Sequence, residues 1–252
     1  MRSLFVLSIL FAIMLFSGCS RSNDEPAVDS KAQTMPAEIR ATVLQFEEQE
    51  QGVEPYPLRM IITQTHLRMD DGEGAKSYLL FDRQKQTIYN VNADDKTVLL
   101  IERQKLSPPT EGKTALEITA GDTSDMPALG AKKPVHKTLS TAGKRCYDVV
   151  AIPGLMPDVV EAMREYLLTL SSQQIENLDK TPVAMRDPCM LTNLIYHPIS
   201  HLDFGFPLRE WDYRGFVREL VDFGEEMVSS KLFKVTDGYR KMTLDRGGLH
   251  KE

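Results

Sequence analysis

The chain has 252 residues, of which 42% are hydrophobic and 26% are charged, and its formal net charge at pH 7 is -6. This length and apolar content suit one large folded domain, and no proline- or glycine-rich joint divides the sequence convincingly. The acidic excess argues against nucleic acid as a partner, and it leaves no basic patch for electrostatic attachment to anionic lipid.

The N-terminus has the pattern of an export signal. Arg2 precedes an uncharged run from Leu4 to Phe16, which ends at Ser17-Gly18-Cys19. A membrane-spanning helix needs about 20 apolar residues, so a permanent transmembrane helix is the weaker interpretation. We therefore predict a signal peptide over residues 1–18.

The end of this segment, Leu15-Phe16-Ser17-Gly18-Cys19, resembles the lipobox of bacterial lipoproteins, in which small residues precede a cysteine that is acylated before cleavage. Phe16 stands where that family usually has leucine. The resemblance implies lipid on Cys19 and attachment to a membrane through acyl chains. Ser20, in place of the aspartate that marks inner-membrane retention, implies an outer-membrane anchor facing the periplasm. The alternative is an ordinary secretory signal with an incidental Cys19.

The next segment is small, polar and charged, with Pro26 and Pro36. Such a composition cannot bury enough apolar surface to fold, so we predict a lipidated flexible tether over residues 19–37.

The other two cysteines, Cys146 and Cys189, form an even pair in what would be an oxidising compartment. We predict a disulfide between them. In the chain-entropy model, closing this loop stabilises the folded protein by roughly 4 kcal/mol. Two free buried thiols, or a redox or metal role, are the alternatives. Redox pairs usually lie two residues apart at the start of a helix, which disfavours the redox role.

Alternation of apolar and polar residues begins near residue 38 and predicts strands. Acidic or glycine-containing turns separate the later apolar runs and indicate an antiparallel meander. The predicted strands cover residues 39–46, 58–69, 77–81, 87–91, 97–101, 115–119 and 144–152.

After Pro153-Gly154 the apolar period changes to about 3.6 residues, which predicts an amphipathic helix with Pro157 as its first residue, continuing through Leu178. Its apolar face would carry Met156, Val159, Val160, Met163, Leu167 and Leu170. A second helix is predicted to start at Asp187-Pro188 and to end before Pro198, with Cys189 in its first turn. Beyond it we expect strands over residues 209–213, 216–223, 227–235 and 239–244.

Short stretches of this pattern resemble the half-barrel of the lipoprotein-localisation carrier and receptor proteins and of related periplasmic domains of unknown function. They are Leu80-Phe81-Asp82-Arg83, Ile88-Tyr89-Asn90-Val91, Asp94-Asp95-Lys96-Thr97 and Leu232-Phe233-Lys234-Val235-Thr236-Asp237-Gly238-Tyr239. The resemblance implies an α+β domain over residues 38–245, in which a curved antiparallel sheet wraps around a helical excursion, followed by a C-terminal tail over residues 246–252. It also implies an apolar cavity, although no residue matches one that marks lipoprotein transfer.

Sequence motifs for catalysis are absent. Gly112-Lys113-Thr114 would need glycine at position 107 to form a phosphate loop and has Ser107 instead. The acidic turn Asn90–Thr97 lacks the glycine and glutamate of a calcium loop, so a hairpin turn is the better interpretation. His197 and His201 have the spacing of metal ligands on one helical face, with Asp203 following, but Pro198 interrupts the helix. We expect a non-enzymatic protein without cofactor or metal.

Two groups of side chains could line a ligand site or simply fill the core. One is aromatic (Phe204, Phe206, Trp211, Tyr213 and Phe216), and the other is rich in methionine (Met156, Met163, Met185 and Met190). Core packing is favoured for both. Two functions follow as expectations: a scaffold or interaction lipoprotein of the cell envelope with an envelope protein as partner, or a carrier or sensor of a lipid or other apolar ligand. An apolar cavity of a few hundred Å³ would favour the second.

Overall fold

The computed structural model describes residues 36–110, 113–182, 186–245 and 248–251. The predicted signal peptide, Cys19 and nearly all of the predicted tether lie outside these residues. The strands are β1 Glu38–Gln49, β2 Tyr56–Ile62, β3 His66–Asp70, β4 Tyr78–Asp82, β5 Thr87–Asn92, β6 Thr97–Glu102, β7 Leu116–Ala120, β8 Val135–Thr141, β9 Lys144–Ile152, β10 Phe206–Asp212, β11 Val217–Ser229, β12 Arg240–Asp245 and β13 Gly248–Lys251.

These thirteen strands form one sheet in the order β13, β12, β6, β5, β4, β3, β2, β1, β11, β10, β9, β8, β7. Strands β1 to β6 follow one another as antiparallel neighbours, which confirms the predicted meander. Among the described strands, the one parallel pair is β6 with β12. The sheet is curved and open, because its outermost strands, β7 and β13, do not meet.

The helical segments are α1 Pro157–Asn177, a 3-10 turn Leu178–Lys180, α2 Pro188–Leu191, a π-helical turn Thr192–Tyr196, and 3-10 turns Ser200–Phe204 and Ser230–Phe233. The predicted start of the second helix is confirmed, since the Asp187 side chain accepts hydrogen bonds from the backbone N–H groups of Cys189 and Met190. That helix continues as the π-helical turn and ends before Pro198. Among the described residues, no helix is both long and apolar enough to cross a membrane.

Both faces of the central strands are buried, because alternate residues of a strand point to opposite sides. On one face Leu44, Phe46 and Phe81 pack against α1. All six apolar residues predicted for the helix face belong to this cluster, so the predicted face is confirmed. On the other face Val43 and Leu80 pack under the segment that contains Phe233.

The structure differs from the sequence-based predictions in four places. The run 58–69 is two strands, because Thr63 Oγ1 accepts hydrogen bonds from the N–H groups of Thr65 and His66 and closes a hairpin. Strand β8 was not predicted. In place of two strands over 216–223 and 227–235, the structure has one strand, β11, which pairs with the whole of β1. A 3-10 turn, Ser230–Phe233, follows it. In place of a C-terminal tail, β13 extends the sheet beside β12.

The fold class is thus predicted in part. The described chain is predominantly β-sheet, open and curved, with few helices. Helix α1 and the turns after it cover one face of the sheet, and a cavity lies between them.

Candidate ligand-binding cavity

The cavity has a volume of about 230 Å³ and lies between the sheet, α1 and the helical turns that follow α2. Apolar side chains supply much of its wall: Met60, Met69, Leu139, Met163, Leu167, Leu194, Pro198 and Phe216. Methionine side chains are flexible and polarisable, so such a wall can adapt to the shape of a small ligand.

The remaining wall is polar, and part of it belongs to a buried ion-pair network. Arg218 donates from Nε to Glu48 Oε1 at 2.6 Å, and its Nη1 lies 3.6 Å from Glu210 Oε2. The Tyr147 hydroxyl donates to Glu210 Oε1 at 2.9 Å, and His201 Nε2 lies 3.5 Å from the same oxygen. Arg218, Tyr147 and His201 line the cavity, and Glu210 is buried behind them.

Burial sets the protonation of this wall. It raises the pKa of Tyr147 well above 10.0, and the nearby Glu210 raises it further, so Tyr147 stays a hydrogen-bond donor. Burial also lowers the pKa of His201 from 6.5, although Glu210 opposes this shift. For Arg218 burial lowers the pKa, but Glu210 and Glu48 outweigh it and the net shift is upward. The wall therefore carries a fixed guanidinium and a neutral imidazole at pH 7.

Two buried polar atoms at this wall lack hydrogen-bond partners among the described residues. They are Nε2 of His197, a residue that lines the cavity, and Oε2 of Glu210, which has only the longer ion pair to Arg218. A buried polar atom without a hydrogen bond costs about 1–3 kcal/mol. A ligand that brought a hydrogen-bonding group to His197 would recover part of that cost.

The segment that carries Asn193, Leu194 and His197 is fastened to β9. Cys146 of β9 and Cys189 of α2 are joined by a disulfide with a Cα–Cα distance of 4.9 Å, as the sequence led us to expect. Lys144 Nζ also donates to Asp187 Oδ2 at 2.6 Å, and Asn193 Nδ2 donates to the carbonyl of Cys146 at 3.2 Å. These links hold one wall of the cavity in place.

His197 and His201, considered above as metal ligands, do not share one helical face. His197 follows the π-helical turn, whereas His201 lies in the 3-10 turn Ser200–Phe204. His197 and His201 both line the cavity, but Asp203 is exposed and pairs with Arg164 at 2.7 Å. Within the described ranges, no group of three or more His, Cys, Asp or Glu side chains could hold a metal ion.

The aromatic and methionine groups divide between cavity and core. Phe216 and Met163 line the cavity, whereas Phe206 is fully buried in the core beside α1. Trp211 stacks near His136 with ring centroids 5.3 Å apart, and the Tyr213 ring lies 4.6 Å from Lys144 Nζ. Phe204 packs near Leu139, and Met156 packs at the edge of the core. Met185 lies outside the described residues.

Sequence reasoning missed Glu48, Tyr147, Glu210 and Arg218. They lie on β1, β9 and the hairpin of β10 and β11, three parts of the chain that are far apart in sequence but adjacent in the sheet. Each has the sequence appearance of an ordinary polar position on a half-exposed strand. Glu210 could have been singled out only from the sheet pairing, which places Arg218 directly opposite it.

A second, more open groove of about 720 Å³ adjoins the cavity on the other side of His197. Its floor contains Leu168, Ile175 and Ile195, and Lys85 and Arg103 stand at its rim. Lys85 donates to Asp82 and Arg103 donates to Gln86, so both cations already have hydrogen-bond partners within the protein. The smaller and less open cavity beside Tyr147 and Arg218 is therefore the stronger candidate site.

No family model matches the chain, and no curated protein matches it significantly. Among solved structures, it is similar to an uncharacterized conserved protein from Thermus thermophilus, at 7% identity and a TM-score of 0.41, over 81% of this chain and 90% of that chain. It is also similar to PNGF-II in two crystal forms, at 9% and 8% identity and TM-scores of 0.39 and 0.38. Those matches cover 82% and 81% of this chain but only 31% and 32% of PNGF-II. Likenesses at this level assign neither a family nor a function.

Proposed function

We propose that this protein is a lipid-anchored protein of the bacterial cell envelope that binds a small, mainly apolar ligand between its curved sheet and α1. The observation that supports this proposal is the cavity of about 230 Å³, with an apolar wall on one side and the Tyr147, His201 and Arg218 side chains on the other. A scaffold filled by its own side chains would have no need of such a space. On this proposal the sheet acts as a half-barrel around the ligand.

The size of the cavity limits the ligand. A dry apolar cavity of about 150 Å³ is large enough for benzene, and drug-sized ligands occupy about 300–1,000 Å³. A volume of about 230 Å³ lies between these limits. It suits a ligand of about ten heavy atoms with one hydrogen-bonding group, and it is too small for the two or three acyl chains of a lipoprotein. We therefore propose a sensor or carrier of a small amphiphile rather than a carrier of lipoproteins.

Two probes of suitable size test this proposal, namely 1-octanol and octanoate. We expect 1-octanol to bind with a stoichiometry of one and to raise the melting temperature, because a ligand that binds only the folded state stabilises it. Isothermal titration calorimetry and thermal melts measure these effects. Octanoate shows whether the polar wall accepts a negative charge beside Arg218. Failure of both probes to bind would contradict the proposal.

A cavity-filling substitution supplies the matched variant. Leu167→Trp places a larger side chain at a residue that lines the cavity, and we expect octanol binding to fall at least about tenfold at a stability cost of about 1–3 kcal/mol. Val53→Trp is the control, because Val53 is exposed in the turn between β1 and β2. Equal binding by the two variants would place the ligand elsewhere.

The native ligand can be sought directly. Native mass spectrometry of the protein extracted from its own cell envelope should detect a reproducible non-covalent adduct of low mass. A protein that carries only its covalent acyl mass in repeated extractions would favour the scaffold function over the sensor.

The membrane anchor is proposed from the lipobox resemblance and from the polar segment that follows it. Replacement of Cys19 by serine should abolish acylation and release the protein from the membrane fraction, because the acidic chain offers no electrostatic attachment of its own. Fractionation and mass spectrometry of the N-terminal peptide measure both effects. A Cys19→Ser protein that stayed in the membrane fraction would contradict the anchor.

A further inference from the structure

Strand β11 has two neighbours at its start and only one along most of its length. On one side it pairs with β1 from Gln49–Val217 to Glu38–Ser229. On the other side it pairs with β10 over Val217–Glu219 only. Within the described part of the chain, no strand pairs with Leu220–Ser229 on that side. We call this segment the β11 edge.

The backbone of the β11 edge has hydrogen-bonding groups that face away from β1. The N–H of Phe223 donates to the side chain of its own neighbour, Asp222, at 2.8 Å, which shows that this N–H does not face β1. Because successive residues of a strand direct their backbone groups to alternate sides, Glu225 and Met227 present their N–H and C=O groups outward as well. An extended chain can add to such an edge as a new strand.

Three apolar side chains of the β11 edge are unusually exposed. Val221 is 68% exposed, Met227 58% and Phe223 39%. Gly224 lies between them, and no atom would approach within 4 Å of a Cβ added there. A long edge strand with exposed apolar side chains is normally covered by a partner or protected by charge. This edge therefore has both the backbone groups and the apolar side chains that strand addition uses.

Charge indicates the kind of partner. The β11 edge contains Asp222, Glu225 and Glu226 and no lysine or arginine. Thr42 donates to Glu225 at 2.5 Å from within the protein, but no cation pairs with any of these three carboxylates in the described residues. A second copy of this chain would place the same acidic strand against itself, and like charges directly opposite one another destabilise a strand pair.

We propose that the β11 edge binds a basic, extended peptide segment of another protein, which adds to the sheet as an antiparallel strand. Outward N–H and C=O groups supply the main-chain hydrogen bonds, and lysine or arginine side chains on one face of the partner strand meet Asp222 and Glu226, which are four residues apart and share a face of β11. This site is separate from the cavity, so a sensor could engage a partner while it holds its ligand. The acidic residues serve two purposes, since they also oppose self-association.

The test uses three labelled peptides of about ten residues, the span of the β11 edge. One alternates lysine with valine, one lysine with proline and one glutamate with valine. Fluorescence anisotropy should show the lysine–valine peptide binding at least about tenfold more tightly than the other two, since only that peptide can both pair as a strand and neutralise the edge. Equal binding of the lysine–valine and lysine–proline peptides would reduce the interaction to net charge and overturn the proposal.

A backbone substitution at the edge gives the sharper comparison. Phe223→Pro removes an outward N–H without removing a donor to β1. In the free protein this N–H donates to Asp222, and it would exchange that bond for a carbonyl of the added strand, so we expect the substitution to weaken binding of the lysine–valine peptide by about tenfold. Phe223→Ala is the matched control, because it shortens the side chain and keeps the N–H. If Phe223→Pro bound the peptide as well as Phe223→Ala does, strand addition would be excluded.

Two further measurements keep the proposal testable if the proline variant fails to fold. The double substitution Asp222→Lys, Glu226→Lys changes only exposed side chains and should abolish binding of the lysine–valine peptide. Hydrogen exchange should show the amides of Glu225 and Met227 becoming protected when the wild-type protein binds that peptide. The proposal would be overturned if the double variant still bound the peptide or if those amides gained no protection. It would also be overturned if the protein alone formed a dimer that Phe223→Pro dissociates.

Discussion

Asp70 holds two arginines that would otherwise be buried without a counterion. Its carboxylate accepts from Arg59 Nε at 2.8 Å and from Arg68 Nε at 2.6 Å. Arg68 in turn donates to the carbonyl of Leu232 at 2.9 Å and lies 3.8 Å from the centre of the Tyr78 ring. Burial alone would raise the pKa of Asp70, but the hydrogen bonds from both arginines outweigh it and lower the pKa. This residue thus connects β3 to the segment that covers the outer face of the sheet.

Asp70→Asn should destabilise the protein by about 3–5 kcal/mol, because it leaves Arg68 buried without a full counter-charge. Chemical denaturation of the variant and the wild-type protein measures the difference in free energy of unfolding. Asp71→Asn changes an exposed neighbour and serves as the control. Equal stabilities of the two variants would show that the buried ion pairs contribute little.

At the scale of elements, the disulfide and the Asp187 cap hold the short helical turns against β9. Helix α2 has only four residues, and an isolated helix of that length is not stable in water. Its position therefore depends on Cys189, which is fully buried, and on the contact between Lys144 and Asp187. Because Asn193, Leu194 and His197 follow directly, the same bonds hold one wall of the cavity.

Cys189→Ser should lower the free energy of unfolding by roughly 4 kcal/mol under oxidising conditions, because the bridge closes a loop with a sequence separation of 43. The difference should largely disappear when both proteins are measured with reductant. Thiol labelling of the unreduced wild-type protein gives an independent check. Two freely labelled thiols at Cys146 and Cys189 would contradict the bridge and weaken the assignment to an oxidising compartment.

At the scale of the whole molecule, stability should depend on pH through three histidines. Burial lowers the pKa of His66, His197 and His201 from 6.5. The unfolded chain therefore binds protons more readily than the folded protein, and stability is greatest above pH 6.5 and falls as the pH drops through the lowered values.

Thermal melts between about pH 7.5 and pH 5 should show this decline in stability. His201→Asn should make the decline shallower, because the contribution of that residue no longer depends on pH. Ligand in the cavity should reduce the loss at low pH, since His197 and His201 lie in its wall. A melting temperature that stays constant over this range would contradict the assignment of neutral buried histidines.

Local pattern was enough for much of the fold. Alternation in β1 and β4–β6, the helical period after Pro157 and the Asp187-Pro188 start are each signals within a few residues, and all are present in the structure. Strand β8 was not predicted because only Val135 and Leu139 of its seven residues are apolar. The break between β2 and β3 at Thr63–Thr65 was not predicted, because side-chain hydrogen bonds rather than glycine or proline form this turn.

The sequence by itself determined the acidic charge, the meander, the helix face and the choice of Cys146 and Cys189 as a pair. These depend on local periodicity, composition or simple counting. Only the tertiary structure decided that Glu48, Tyr147, Glu210 and Arg218 meet behind the cavity, and that β10 leaves β11 after Glu219. Both depend on which strands become neighbours, and residues that are distant in the chain share no local signal of that pairing.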